Sequence, residues 1–159
     1  MKNILVIDDK DEVRAVIVAT LTYAGYTLRQ AKNGRDGILM LLMERPDLIL
    51  CDVRMPEMDG YRTLAAIRNV PGTAAIPFIL MTGSMGRDEF RQAMVCGADD
   101  YLVKPFTALE LIGAVQSRLA RQAHMRSVAY RTNEKSPEPA SRMFSPNLPS
   151  ISTSMATAA

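Results

Sequence analysis

The chain has 159 residues, enough for one domain able to fold alone plus a tail, and too few for a second full domain. Its 19 basic residues against 17 acidic ones leave a net charge of only +2, and the basic side chains form no stripe with interleaved aromatics, so nucleic-acid binding is not indicated. The opening Met1-Lys2-Asn3 precedes an apolar run too short for a secretory segment, and no run approaches the ~18 apolar residues of a membrane span, so a cytoplasmic location is expected.

Ile4-Leu5-Val6-Ile7 is a continuous apolar run that suits a strand buried on both faces. Residues 10–24 then place Val13, Val16, Ile17, Leu21 and Ala24 on one helical stripe, with Gly25 as the stop. Residues 34–44 form a second helix, apolar at Ile38, Leu41 and Leu42, with Asn33 as cap and Pro46 beyond its end. Further strands are read at Leu48-Ile49-Leu50-Cys51, Phe78-Ile79-Leu80-Met81 and Tyr101-Leu102-Val103, and helices at 60–69 and 86–96. The latter opens on Arg87-Asp88-Glu89, whose acids complement the helix dipole, and closes at Gly97. Thr107-Ala108-Leu109-Glu110 matches a capping box, with Leu109, Ile112, Val115 and Leu119 as the inward stripe of a last helix. Four strand runs and five helical segments are thus read, in a strand-helix alternation.

From about His124 the composition changes. Pro137, Pro139, Pro146 and Pro149 are interleaved with serines and lack apolar periodicity, so residues 124–159 are expected to form a disordered tail, with the last helix able to run on through Arg126. Cys51 and Cys96 belong to no CxxC or Cys/His cluster and read as reduced structural thiols.

Chemistry is concentrated at the strand ends. Asp8 and Asp9, Asp52, Thr82 and Lys104 each follow an apolar run, and in a parallel sheet all strand carboxyl ends open onto one edge, where open α/β folds bind ligands. If the first and third strands are neighbours, Asp8, Asp9 and Asp52 crowd together and repel unless a cation joins them. Magnesium fits such a half-built carboxylate site, because it usually shares its shell with water and a phosphate. Lys104 offers a mobile positive charge to a phosphoryl oxygen and the Thr82 hydroxyl a donor to another. One carboxylate then serves as nucleophile toward phosphorus, and Asp52, central in the edge, is the best candidate.

Ile7-Asp8-Asp9, the run from Asp52 through Val53-Arg54-Met55-Pro56-Glu57-Met58-Asp59 to Gly60, Met81-Thr82-Gly83, and the run from Gly97 to Phe106 that includes Tyr101 and Lys104-Pro105 resemble the motifs of response-regulator receiver domains of two-component signalling. The resemblance covers roughly residues 1–122, and the domain is placed at 1–123. It implies a doubly wound, five-stranded parallel α/β sheet of flavodoxin type with five helices and strand order 2-1-3-4-5. It also implies that Asp52 accepts a phosphoryl group from a histidine kinase or histidine phosphotransfer protein. Asp8, Asp9, Asp52 and the backbone carbonyl of Arg54 would hold Mg2+, Thr82 and Tyr101 would form a switch pair, and Lys104 would contact the phosphoryl group. Lys104-Pro105 would be a cis bond. The implied protein is a phospho-acceptor switch that catalyses only its own phosphotransfer and slow self-dephosphorylation, and signals to a downstream protein. DNA-binding relatives that dimerise through the fourth and fifth helices carry an arginine near the position of Ala114, so a monomer or weak dimer is expected.

Taken singly, these residues have plainer explanations. Asp8-Asp9 could cap the first helix, Asp52 could begin a turn, Thr82 could be an ordinary strand-end residue and Lys104 a solvated lysine. Their joint placement argues against that. A scaffold that has lost phosphotransfer would lack part of the set Asp8, Asp9, Asp52, Thr82 and Lys104. An aspartyl-phosphate phosphohydrolase would carry an acid where Arg54 stands, and neither G-x-G-x-x-G after the first strand nor G-x-x-x-x-G-K occurs.

Overall fold

The computed structural model describes residues 1–84 and 86–134. The strands are β1 (Asn3–Ile7), β2 (Thr27–Ala31), β3 (Leu48–Asp52), β4 (Phe78–Thr82) and β5 (Asp100–Val103). The helices are α1 (Asp11–Tyr23), α2 (Gly34–Met43), α3 (Gly60–Asn69), α4 (Arg87–Val95) and α5 (Ala108–Glu134). All strand pairs are parallel and the sheet order is β2-β1-β3-β4-β5, which is the expected doubly wound arrangement.

Why the apolar runs are continuous is visible in the two cores. Ile4 and Val6 of β1, with Leu48 and Leu50 of β3, pack against Ile17 and Leu21 of α1 and Leu111 and Val115 of α5. The alternate residues Leu5, Ile7, Ile49 and Cys51 face Leu41, Leu64, Ile67 and Ala93 of α2, α3 and α4. A strand covered on both sides has no polar face to spare. Each fully buried Leu or Ile here contributes about 2 kcal/mol of transfer free energy.

The second strand, for which the sequence offers no apolar run, is Thr27-Leu28-Arg29-Gln30-Ala31 at the sheet edge. Only Ala31 in it is buried, because an edge strand tolerates polar side chains that a central one excludes. Capping follows expectation at two helices. The Asn33 side chain accepts from the Asp36 N–H at 2.8 Å. Thr107 and Glu110 close a capping box, with the Glu110 N–H on Thr107 Oγ1 at 3.2 Å and the Thr107 N–H on Glu110 Oε2 at 2.7 Å. Gly25, at φ +92°, supplies the left-handed residue that stops α1.

Three helical stripes differ from expectation. Val16 is 66% exposed and Ala24 is exposed, while Arg14 occupies the buried face of α1 beside Ile17 and Leu21. Leu42 is exposed on α2. Leu109 is 83% exposed, since it lies about 200° round the helix from Leu111, the residue that enters the core with Val115. The last helix also continues through Glu134, so residues 124–134 are helical and not irregular. Residues 127–134 contain no glycine or proline, and the Ser127 and Thr132 hydroxyls bond back to the carbonyls of His124 and Val128. The rest of the expected tail, 135–159, lies outside the described residues.

Candidate functional site

Because β1 and β3 are neighbours whose following helices go to opposite faces, a crevice opens between their carboxyl ends. Asp8 and Asp9 sit directly after β1, and Asp52 is the last residue of β3. One carboxylate oxygen from each lies within 4.8 Å of the others. Asp8 is fully buried and Asp52 is 5% exposed. From the far side, Lys104 reaches across β4: its Nζ donates to Asp8 Oδ2 at 2.7 Å and to Asp52 Oδ1 at 2.9 Å. Its backbone N–H is fixed on the Thr82 carbonyl at 2.7 Å. The Lys104-Pro105 bond is cis.

The electrostatics of this cluster are uneven. Burial raises the Asp52 carboxyl above its ordinary pKa, Asp8 and Asp9 push the same way, and the Lys104 hydrogen bond only partly offsets them. For Lys104 burial works against the charged form, but the hydrogen bonds to Asp8 and Asp52 outweigh it and the ammonium is held above its usual range. One positive charge therefore serves three carboxylates. Asp9 Oδ1 is buried and has no hydrogen-bond partner among the described residues. An orphaned buried carboxylate oxygen is costly, and together with two further hard oxygen donors it is the donor set a magnesium ion would satisfy.

Several neighbours shape the pocket. The alternative in which Asp8-Asp9 merely cap α1 is not what forms, since the N-cap is Lys10 and has no side-chain cap bond. Instead Asp8 Oδ1 accepts the Lys10 N–H at 2.9 Å, which orients the carboxylate inward. Arg14 donates to the Asp8 carbonyl at 2.8 Å and pairs with Asp11. The sequence reading missed it, because an arginine within an otherwise apolar stripe resembles a simple interruption. Gly60 opens α3, and a Cβ there would stand 2.4 Å from the Asp52 carbonyl oxygen. Only glycine lets α3 start this close beneath Asp52. The Arg54 side chain points outward and pairs with Glu89 at 3.6 Å.

Thr82, buried at the end of β4, donates to the Ser84 carbonyl at 3.2 Å and accepts the Ser84 N–H at 3.3 Å. The Tyr101 hydroxyl donates to that same carbonyl at 2.8 Å, and its ring meets Phe90 edge-on at 6.1 Å. Asp8, Asp9, Asp52 and Lys104 thus meet in one crevice, while Thr82 ends the adjoining strand β4 with its hydroxyl on Ser84 and Tyr101 beyond it.

A sequence profile described as the response regulator receiver domain matches residues 4–116. The chain belongs to the response regulator receiver domain family. Its receiver is similar to the regulatory protein AtoC of Escherichia coli, at 35% identity over 82% of this chain and 28% of that protein. The DNA-binding regulator RpaA of Synechocystis is 35% identical over 76% of this chain and 50% of its own length. The chain spans about half or less of the length of these curated relatives. Among solved structures, the chemotaxis protein CheY4 of Vibrio cholerae superposes with a TM-score of 0.72 at 30% identity, covering 74% of this chain and 98% of that one. A receiver domain from Clostridium thermocellum gives 0.73 at 28% identity, covering 79% and 99%. The receiver is of the two-component response-regulator type, and among the described residues no helix is long and apolar enough to cross a membrane.

Proposed function

We propose that this receiver is a phosphorylation-driven switch in the cytoplasm, in which Asp52 takes a phosphoryl group from a histidine kinase or a histidine phosphotransfer protein. The carrying observation is the Lys104 ammonium bridging Asp8 and Asp52 while Asp9 presents an unbonded buried oxygen. An Asp52 oxygen attacks phosphorus, the P–N bond to the donor imidazole breaks, and the bonding pair leaves on the imidazole nitrogen. Magnesium, held by Asp8, Asp9, Asp52 and the Arg54 carbonyl, would neutralise charge on the carboxylates and the incoming phosphoryl oxygens. Lys104 then exchanges its bond to Asp52 for one to a phosphoryl oxygen, and the Thr82 hydroxyl turns from Ser84 toward another. Burial of Asp52 excludes bulk water and favours a covalent product over immediate hydrolysis, which leaves only slow self-dephosphorylation.

A docking place for the donor adjoins the site. Val13, Val16 and Ile17 of α1 and Pro105 and Phe106 line an apolar recess of about 470 Å³ that Lys104 borders. A donor helix seated there would bring its histidine to the crevice, which accounts for the exposure of Val16. Output then passes from Thr82 and Tyr101 to the surface of α4, β5 and α5, to be read by a partner protein. The test is mass spectrometry after incubation with acetyl phosphate and Mg2+. One phosphoryl adduct mapping to Asp52 and lost in Asp52→Asn is expected; unchanged labelling of that variant, or labelling on a serine of residues 135–159, would refute the assignment.

A further inference from the structure

Between Leu111 and Asn133, α5 carries Arg118, Arg121, Arg126 and Arg131 and no acidic residue. Its first turns enter the core through Leu111 and Val115. Beyond them the helix runs past the amino-terminal ends of β4 and β5, on the side of the sheet away from Asp52, and leaves a groove of about 610 Å³. Pro77 and Ala98 form one wall, Met125 and Ala129 the other.

The groove is held open by its own polar contacts. Arg118 Nε bonds Asp100 at 2.9 Å, Gln122 Nε2 donates to the Ala75 carbonyl at 3.0 Å, and Arg68 fixes Asp99 at 2.8 Å. These pairs leave Arg121 and Arg126, both exposed, outside any ion pair within 4.0 Å among the described residues, although Arg126 acts electrostatically on Asp47. At about 100° per residue the two flank the Gln122-Met125-Ala129 stripe on opposite sides. A trough with apolar patches at Pro77, Ala98, Met125 and Ala129, flanked by two exposed cations, is complementary to a segment that carries apolar anchors and carboxylates.

We propose that this groove docks an acidic, apolar-anchored segment of a partner protein, remote from the phosphorylation crevice. A second copy packed α5 against α5 does not fit, because it would bring arginines against arginines. Duplex nucleic acid is disfavoured by the dispersal of the arginines around the helix, which gives no continuous basic face to follow a phosphate backbone. A lipid surface is disfavoured because the exposed Tyr130 lies about 160° from Val128 and about 140° from Met125, and Arg121 falls between the latter two, giving no single apolar face.

Selection of random phage-displayed dodecapeptides on the full chain tests this. Enriched peptides should combine Asp or Glu with large apolar residues, and a synthetic winner should shift the amide signals of Ala75, Ala98 and Gln122. Its affinity should fall at least tenfold in the Arg121→Gln, Arg126→Gln double variant, whose changes are at exposed positions. Winners without acids, or acidic winners that bind the double variant as well as the wild type, would overturn the proposal. So would a 20-base-pair duplex or phosphatidylglycerol vesicles that bind more tightly than the peptide and depend on the same two arginines.

Discussion

Removing Asp9 should make the magnesium-free protein more stable and nearly abolish its response to magnesium. One ammonium, bonded to two of them, faces three carboxylates whose oxygens lie within 4.8 Å of one another, and unit charges at that distance repel by about 3.5 kcal/mol at an effective dielectric near 20. Lys104 bonds Asp8 and Asp52 but not Asp9, and Asp9 Oδ1 has no hydrogen bond to lose, so Asp9→Ala strands no partner. Partial exposure of Asp9 to water cuts the relief to roughly 1 kcal/mol, which for a domain of this size raises the melting temperature by about 3 to 6 °C. Magnesium at about a hundred times its dissociation constant would stabilise the wild type by about 2.7 kcal/mol through mass action. In Asp9→Ala that gain should fall to less than a third. Thermal melts with EDTA or with magnesium, followed by circular dichroism, measure both effects. An equal magnesium-induced rise in the two proteins would refute the proposed coordination, and a lower melting temperature of Asp9→Ala in EDTA would refute the repulsion.

Lys104→Met should cost roughly 2 to 4 kcal/mol without magnesium, because Asp8 and Asp52 lose a buried counter-ion. The pKa of Asp52 is raised by folding, so its ionisation opposes the fold: stability is highest below the ordinary carboxylate pKa and declines as pH rises through the folded value. That decline should be steeper in Lys104→Met, and parallel pH–stability curves from urea titrations would count against it. Deleting residues 135–159 should leave melting temperature and acetyl-phosphate labelling rate unchanged, since their proline and serine content offers little to bury; a drop of more than a few degrees would show that they pack on the domain. Thr82→Ala should still be labelled at Asp52 but give smaller beryllofluoride-induced amide shifts at Phe90, Tyr101 and Leu111, and full-size shifts would place the coupling elsewhere.

The central strands and the acidic crevice were legible because one constraint wrote both. A strand buried on two faces must be apolar throughout, so the first polar residue after Ile7, or after Cys51, marks where it emerges at the sheet edge. What escaped depends on neighbours far along the chain. β2 hides among polar residues because its pairing with β1 leaves one edge in water. Arg14 is buried because the Asp8 carbonyl and Asp11 await it, which helical periodicity cannot express. Leu109 falls on the solvent side because the packing angle of α5 on the sheet selects Leu111 and Val115. The far end of α5 was cut short in the reading because composition changes before helical propensity does.

The geometry around Ser84 bears on how complete the proposed switch can be. Thr82 and Tyr101 share one acceptor, the Ser84 carbonyl, and Tyr101 holds it with the shorter bond, 2.8 Å against 3.2 Å. If a phosphoryl group on Asp52 draws the Thr82 hydroxyl away, the carbonyl keeps a donor and the segment after β4 need not be released. Tyr101 is half-buried against Phe90 in this structure, which leaves its ring a short path to travel if the proposed switch draws it inward. Moving a two-state equilibrium from 1:99 to 99:1 needs about 5.5 kcal/mol of differential stabilisation. A new charge-assisted bond from Thr82 supplies about 1.5 to 3 kcal/mol, and the Lys104 bond to phosphoryl largely replaces one that Asp52 already had. Phosphorylation should therefore shift the α4–β5–α5 surface by only a fraction of its range. In Tyr101→Phe the ring stays against Phe90 while the Ser84 carbonyl loses its stronger donor, so this variant should show a larger beryllofluoride-induced shift at Ser84 than the wild type; an unchanged shift would mean that the shared carbonyl does not limit the switch.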